Sequence, residues 1–80
     1  MKKGYFWDSM SGLVSVKLLA IETEPGLKTA VCRVTDRDNR IYKYGEIIKT
    51  SLRWVVPKSA VHVNSCGQYR IWAHDAPTLE

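Results

Sequence analysis

The sequence lacks any long apolar run, and this absence excludes a membrane-spanning helix. Its longest aliphatic stretch is the short segment 18–21, whereas a helix that crosses a bilayer needs about 20 apolar residues. The chain also contains no stretch with the spacing of an amphipathic helix. We therefore expect a protein that is built of strands and has no membrane partner.

Cysteine is scarce as well, because Cys32 and Cys66 are the only two. A disulfide framework needs more cysteines and an oxidising compartment. The basic start at 1–3 is not followed by the apolar segment of an export signal, since Asp8 and Lys17 interrupt it. We therefore expect two free thiols and a cytoplasmic protein.

Motifs that carry catalysis or bind metal are missing too. The sequence has no Cys-x-x-Cys pair, no glycine-rich phosphate loop and no Gly-x-Ser-x-Gly motif. His62 and His74 are the only histidines, and neither forms a recognised zinc or nucleophile signature with Cys66. Asp36 and Asp38 suit a turn better than a catalytic pair. We therefore expect no enzymatic activity, no metal and no cofactor.

The length leaves room for one domain. Eighty residues, 45% of them hydrophobic, can bury one modest core but cannot form a separate substrate domain. We assign residues 1–80 to this single domain, with 1–12 as an N-terminal arm or short strand. Leu79 and Glu80 match a dipeptide that cloning sites leave before a tag, and they carry no weight in the fold prediction.

The clearest pattern that is present is the alternation of apolar and polar residues. In 13–21 the even positions are apolar, which predicts a strand whose inner face carries Val14, Val16, Leu18 and Ala20. Pro25-Gly26 fits the centre of a type II turn. A second strand follows at 28–35, and its predicted inner face carries Ala30, Cys32 and Val34.

Three more strands are predicted at 40–44, 52–56 and 68–73, with 46–49 continuing the first of them beyond Gly45. A single helical turn is predicted at 58–62, because the segment is too short for a longer helix. Five short strands with this turn before the last one predict an all-β, antiparallel, SH3-like barrel. An OB-like barrel and an open β-sheet are the alternatives.

Basic residues are concentrated in the middle of the chain. Lys and Arg number 12 against 8 Asp and Glu, which gives a net charge of +4. Residues 28–58 hold most of the basic side chains and account for the whole excess. Strand parity predicts one phosphate-attracting sheet face, made of Arg33, Lys43, Lys49 and Arg53. The alternative is the ordinary solvated face of an antiparallel sheet.

Four of the aromatic residues that lie in or after residues 28–58 could either pack in the fold or contact a ligand. Tyr42 and Tyr44 alternate with basic residues, as in proteins that stack single-stranded bases, or they pack across strands. Trp54 has the parity of the apolar positions in its strand and is expected in the core. Trp72 is expected either in the core or as a partly exposed anchor.

Tyr5, Phe6 and Trp7 form a cluster of adjacent aromatic residues near the start of the chain. They cannot all face one way on a strand, so we expect one of them to be exposed on an interaction surface. The alternative is an arm that lies over an open end of the barrel.

Two functions follow from these features. The first is nucleic-acid binding through Arg33, Lys43, Lys49 and Arg53, with Tyr42 or Tyr44 stacked on bases. The second is a protein-interaction or self-association module that uses the edge strands together with Tyr5, Phe6 and Trp7. We favour the first, because the charge is concentrated within so short a segment.

Overall fold

The structure, a computed structural model, describes residues 3–79. The outer part of the predicted arm, residues 1–2, and Glu80 of the predicted cloning remnant lie outside the described residues. Across 3–79 the secondary structure consists of strands and two single-turn 3₁₀ helices, so the all-β prediction is confirmed. No helix in this range is long and apolar enough to cross a membrane.

The main sheet is antiparallel and has five strands, which are β1 (Tyr5–Ser9), β2 (Gly12–Glu24), β3 (Leu27–Val34), β4 (Ile47–Ser51) and β5 (Val55–Pro57). Their order across the sheet is β4-β3-β2-β1-β5, so β1 lies inside the sheet and β4 and β5 form its edges. Within 3–79 no strand pairing closes the sheet into a barrel. The predicted N-terminal arm is therefore an interior strand with partners on both sides.

A separate hairpin follows the sheet and consists of β6 (Val61–Val63) and β7 (Tyr69–Ile71). Single 3₁₀ turns at Leu52–Trp54 and Lys58–Ala60 precede β5 and β6. The helical turn predicted at 58–62 is therefore shorter than expected and has a second turn before it. The last predicted strand, 68–73, is shorter too, and it pairs with β6 rather than joining the main sheet.

The core lies on one face of the main sheet, as the alternation predicts. Its buried members are Val14, Val16, Leu18, Ala30, Cys32, Val34, Leu52 and Val55. Each fully buried valine contributes roughly 1.5–3 kcal/mol relative to an exposed one. Both cysteines are free, as predicted, and burial raises the pKa of the Cys32 thiol to about 11.

A β-bulge in β2 changes which residues face this core. The pairing with β3 shifts by one residue between Leu18 and Ala20. Since side chains alternate along a strand, the extra residue reverses the inward and outward positions beyond it. Ile21 therefore packs against the core, and the prediction that Ala20 faces inward is wrong.

The third predicted strand, 40–44, is absent, because residues 35–46 form a loop. The Asn39 side-chain oxygen accepts hydrogen bonds from the backbone N–H groups of Ile41 and Tyr42, both at 2.8 Å. Such side-chain to backbone bonds compete with a strand ladder. The loop closes where Gly45 N–H donates to the Val34 carbonyl at 2.7 Å, and β4 begins after it.

The fourth predicted strand, 52–56, is divided between a 3₁₀ turn and β5. A 3₁₀ turn has three residues per turn, so the period-two parity that placed Trp54 in the core does not hold across it. Leu52 is buried, but Trp54 is 47% exposed. The expectation of a core Trp54 is therefore wrong.

The β6–β7 hairpin lies against the other face of β1 and β5. Phe6 pairs with Val56 in the sheet, and both point away from the main core because Trp7 and Val55 point into it. Val56 and Val61 are buried outside the main core. The hydroxyl of Tyr69 donates to the Asp8 carboxylate at 2.9 Å, which connects the hairpin to this face.

The chain after the hairpin returns to the first strand. Pro77 is buried, and the Tyr5 hydroxyl donates to the Thr78 carbonyl at 3.2 Å. Residues 72–79 form an irregular segment in which Pro77 is buried and the other side chains are exposed.

Candidate functional site

The structure does not bring the four predicted basic residues together. Arg33 on β3 and Lys49 on β4 are exposed on the sheet face opposite the core. Lys43 lies in the 35–46 loop, and Arg53 lies in the first 3₁₀ turn. The predicted parity fails for these two because neither belongs to a strand.

Lys49 is also neutralised locally. Its ammonium lies 3.3 Å from the Glu22 carboxylate, and both side chains are more than half exposed. The β2 bulge accounts for this contact, since it leaves Glu22 on the outer face beside the strand row of Val31 and Lys49. An exposed pair of this kind contributes about 0–1 kcal/mol, but it lowers the attraction of Lys49 for a phosphate.

The two tyrosines predicted to stack on bases occupy different environments. Tyr42 packs against the core and meets Trp7 edge-on, with ring centroids 4.8 Å apart. Tyr44 is 56% exposed, and the Arg37 guanidinium lies 4.3 Å from its ring centroid. Of the pair, only Tyr44 presents its ring to solvent, and Arg37 already covers one side of that ring.

The Tyr5, Phe6 and Trp7 cluster is half-buried throughout. Tyr5 and Trp7 pack against the main core, while Phe6 faces the other way beneath the Lys58 ammonium, which lies 5.0 Å from its ring centroid. The expectation that one of the three is exposed is wrong, because β1 is an interior strand and all three side chains are half-buried.

Three lysines that the sequence did not single out converge on one cleft of about 560 Å³. Lys3, Lys17 and Lys58 line it together with the hydroxyl residues Thr35 and Thr78, and the rest of its lining is Gly4 and the apolar or aromatic residues Tyr5, Val16, Leu18, Leu19 and Leu79. No aspartate or glutamate of the described chain contributes to its lining. We call this feature the lysine cleft.

Three separate strands position these lysines. Lys17 is on the outer face of β2, since its neighbours Val16 and Leu18 are buried in the core. Lys3 stands two residues before β1, and Lys58 begins the second 3₁₀ turn directly after β5. Because β1 lies between β2 and β5, the three residues line one cleft although they are far apart in sequence.

The Lys58 ammonium is held in a fixed place. The backbone N–H of Lys58 donates to the Gly4 carbonyl at 3.0 Å, and the side-chain Nζ donates to the Ser15 hydroxyl at 2.6 Å. Ser15 Oγ lies 3.1 Å from the Thr35 hydroxyl in turn. The side chain is thus oriented before any ligand arrives, which lowers the entropy lost on binding.

Like charges stand side by side next to the cleft. Lys17 and Arg33 are directly opposite each other on β2 and β3. Like charges in this arrangement repel and destabilise a sheet. The single ion pair within 3–79 joins Lys49 to Glu22, so no described carboxylate lies within 4.0 Å of Lys17 or Arg33. The geometry suits an anion that bridges several cations.

The other polar clusters offer little for chemistry. No group of three or more His, Cys, Asp or Glu side chains in the described part of the chain could hold a metal ion.

Comparison with protein-family models, with curated proteins and with solved structures gave no match to this chain.

Proposed function

We propose that this chain is a non-enzymatic domain that binds nucleic acid through its phosphates. The observation that carries the proposal is the lysine cleft, which Lys3, Lys17 and Lys58 line without a carboxylate from residues 3–79. Lysines without acidic partners attract phosphate and release its counterions on binding. The ligand class that several such cations fit together is a polyanion.

The pairing of Lys17 with Arg33 extends this argument beyond the cleft. Two cations opposite each other in a sheet cost folding stability. A phosphate placed between them converts this repulsion into attraction. Of the basic residues predicted from the sequence, Arg33 is therefore retained in the proposed interface, whereas Lys43, Lys49 and Arg53 are not.

We further propose that the sheet is an SH3-like one. A 3₁₀ turn at Leu52–Trp54 precedes β5, and β5 returns to pair with β1. These two features support the architecture predicted from the sequence. The exposed free thiol of Cys66 fits a reducing, cytoplasmic location.

The test is the affinity for a labelled oligonucleotide, measured by fluorescence anisotropy over a range of salt concentrations. Contacts from three lysines and Arg33 predict a slope of log K against log salt of about −3 for a single strand. Lys17→Gln and Lys3→Gln should weaken binding at low salt and reduce this slope by about 0.7 each. Lys28→Gln removes the same charge from an exposed residue at the far end of β3, outside the cleft, and serves as the matched control.

Two results would contradict the proposal. One is the absence of binding by the native sequence at low salt. The other is an equal loss of affinity in Lys17→Gln and Lys28→Gln, since net charge and not the cleft would then determine binding.

A second candidate function is protein interaction or self-association, and a different surface supports it. Met10 is fully exposed and Trp54 is 47% exposed, and with Trp7 they line a cleft of about 430 Å³. Exposed apolar residues grouped in this way mark interaction surfaces. Sedimentation velocity on the native chain and on Trp54→Ser tests it, because a native chain that stays monomeric at high concentration excludes self-association through this cleft.

A further inference from the structure

One side of the β6–β7 hairpin carries a group of polar and aromatic side chains that the lysine cleft does not use. His62 and Arg70 are opposite each other across the two strands. The Asn64 N–H donates to the Gln68 carbonyl at 2.9 Å, and the Trp72 N–H donates to the Ala60 carbonyl at 2.7 Å. Alternation along both strands therefore places one set of exposed side chains on the same side, namely His62, Asn64, Gln68, Arg70 and Trp72. We call this the hairpin face.

The hairpin face points away from the main sheet. The opposite side of the hairpin holds Val61, which is buried, and Tyr69, whose hydroxyl reaches Asp8 on the sheet. The side that carries Trp72 is consequently left to solvent. A concavity of about 420 Å³ opens there between Trp72, His62, Arg70 and Gln68.

Trp72 is the dominant residue of this face. It is 62% exposed, and its ring lies 6.2 Å from the His62 ring at an interplanar angle of 37°. Since the two rings are tilted and separated, His62 does not cover the indole as a parallel stacking partner would. A broad π-surface therefore remains open directly after β7, where the Trp72 N–H bond to the Ala60 carbonyl holds the backbone.

We propose that the hairpin face binds an unpaired nucleobase, so that the nucleic acid recognised by this chain is single-stranded. The proposal rests on the proposed function of the lysine cleft. The base stacks on the Trp72 indole, the Arg70 guanidinium contacts the adjoining phosphate, and the Gln68 carboxamide reaches the base edge. Asn64 is not part of this contact, since its side-chain oxygen already accepts from the Cys66 and Gln68 N–H groups. Its Nδ2 donates to Gln68 Oε1 at 3.5 Å, so the group that Gln68 offers to the base is its amide NH₂.

Position and charge both connect the two sites. Ser15 and Phe6 are opposite each other in β1 and β2, and Ser15 shares the outer face of β2 with Lys17. The hairpin lies on that same face of the sheet, where Tyr69 meets Asp8, the residue two positions beyond Phe6. Arg70 adds one cation to those of the lysine cleft. A single-stranded nucleic acid that lies along this side of the molecule thus contacts the lysine cleft with its phosphates and Trp72 with a base.

An unpaired base is required because the indole stacks on the flat face of a base. In a duplex these faces are buried against neighbouring base pairs, whereas in a single strand they are accessible. Every base has such a face, so the contact is tolerant of sequence. The hairpin face accordingly predicts a preference for single strands over duplexes, without strong sequence specificity.

The test compares a labelled oligothymidylate with an abasic strand of equal length, which has the same phosphates and no bases. The native chain should bind the oligothymidylate about tenfold more tightly than the abasic strand. Trp72→Leu should remove this difference and leave the affinity for the abasic strand unchanged. Trp72→Phe should retain most of it, and Trp54→Leu, which removes an exposed tryptophan elsewhere, should retain all of it.

The outcomes separate the two proposals. If the native chain binds both strands equally, or if Trp72→Leu keeps the difference, the stacking proposal is wrong while phosphate binding at the lysine cleft stands. If neither strand binds at low salt, the proposed function is wrong, and the stacking proposal is wrong with it. Equal affinity for duplex and single strand also contradicts the assignment of the hairpin face.

Discussion

The charge reversal Lys17→Glu should change folding stability and nucleic-acid affinity in opposite directions. In the native sheet Lys17 and Arg33 stand opposite each other as like charges. The substitution turns them into an opposite-charge pair at the same positions. It should therefore raise the free energy of unfolding and lower the affinity for nucleic acid in the same variant.

The magnitude follows from the cross-strand geometry. A directly opposed charge pair contributes roughly 0.2–1 kcal/mol in either sign. Replacing repulsion with attraction at this exposed position should stabilise the fold by about 0.5–1 kcal/mol at low ionic strength. For a domain of this size the midpoint of thermal unfolding should rise by about 2–8 °C. The increase should shrink in high salt, because exposed charges are screened.

The assay is thermal unfolding followed by circular dichroism at low and high salt, with oligonucleotide affinity measured on the same samples. Lys17→Gln should show about half of the stabilisation, since it removes the repulsion without adding attraction. Lys49→Glu is the control of opposite sign, because it replaces the Lys49–Glu22 ion pair with two carboxylates and should destabilise the sheet.

One result would refute this reasoning. If Lys17→Glu unfolds at or below the native temperature in low salt while Lys49→Glu behaves as expected, Lys17 and Arg33 do not repel each other significantly. The electrostatic strain that supports a bridging phosphate would then be absent.

Four further outcomes follow from the fold. In the folded chain a thiol reagent should label Cys66 but not Cys32, and both should react after unfolding, as mass spectrometry can show. Burial raises the Cys32 pKa from 9.0 to about 11, so the stability that the neutral thiol provides should be complete below pH 9 and be lost as the pH rises towards 11 in denaturant titrations. Gly26→Ala should cost about 1 kcal/mol in chemical unfolding, because Gly26 has a φ of +77° with open space around it. Val34→Ala should cost about 2 kcal/mol in the same assay, since Val34 is fully buried.

The sequence predicts the central part of the fold well. Val14, Val16 and Leu18 on β2, and Ala30, Cys32 and Val34 on β3, are buried where period-two alternation places them. The Pro25-Gly26 turn between these strands is also where expected. These features follow from local chemistry, because alternation and turn residues act over a few neighbouring positions.

The strand pairing could not be predicted from the sequence where one extra residue in β2 changes the register with β3. Counted back from the turn, Glu24 pairs with Leu27, and the same register would place Lys17 opposite Val34. The bulge between Leu18 and Ala20 shifts the pairing, so Lys17 stands opposite Arg33 instead. Nothing in the local sequence marks the bulge, since no glycine or proline occurs there.

The lysine cleft could not be found by counting charge along segments. Residues 1–27 carry no net charge, yet Lys3 and Lys17 from that segment contribute two of the three lysines of the cleft. Lys58 follows β5, far from the other two along the chain. Convergence of this kind depends on strand order, which is a property of the whole sheet.

Trp72 was identified from the sequence as a residue that could be exposed. That Arg70 and His62 lie beside it could be seen only from the register of the hairpin.

The interior position of β1 also has a consequence for synthesis of the chain. β1 can pair with β2 as soon as β2 has been synthesised, because only the turn after Ser9 separates them. The other edge of β1 stays unpaired until β5, which ends at Pro57, has been synthesised. At ribosomal rates of about 5–20 residues per second, that edge stays unpaired for roughly 2–10 seconds. Its open N–H and C=O groups can pair with another nascent chain during this time. Crowded polysomes should therefore favour misassembly at β1, and slower initiation should improve the yield of folded protein.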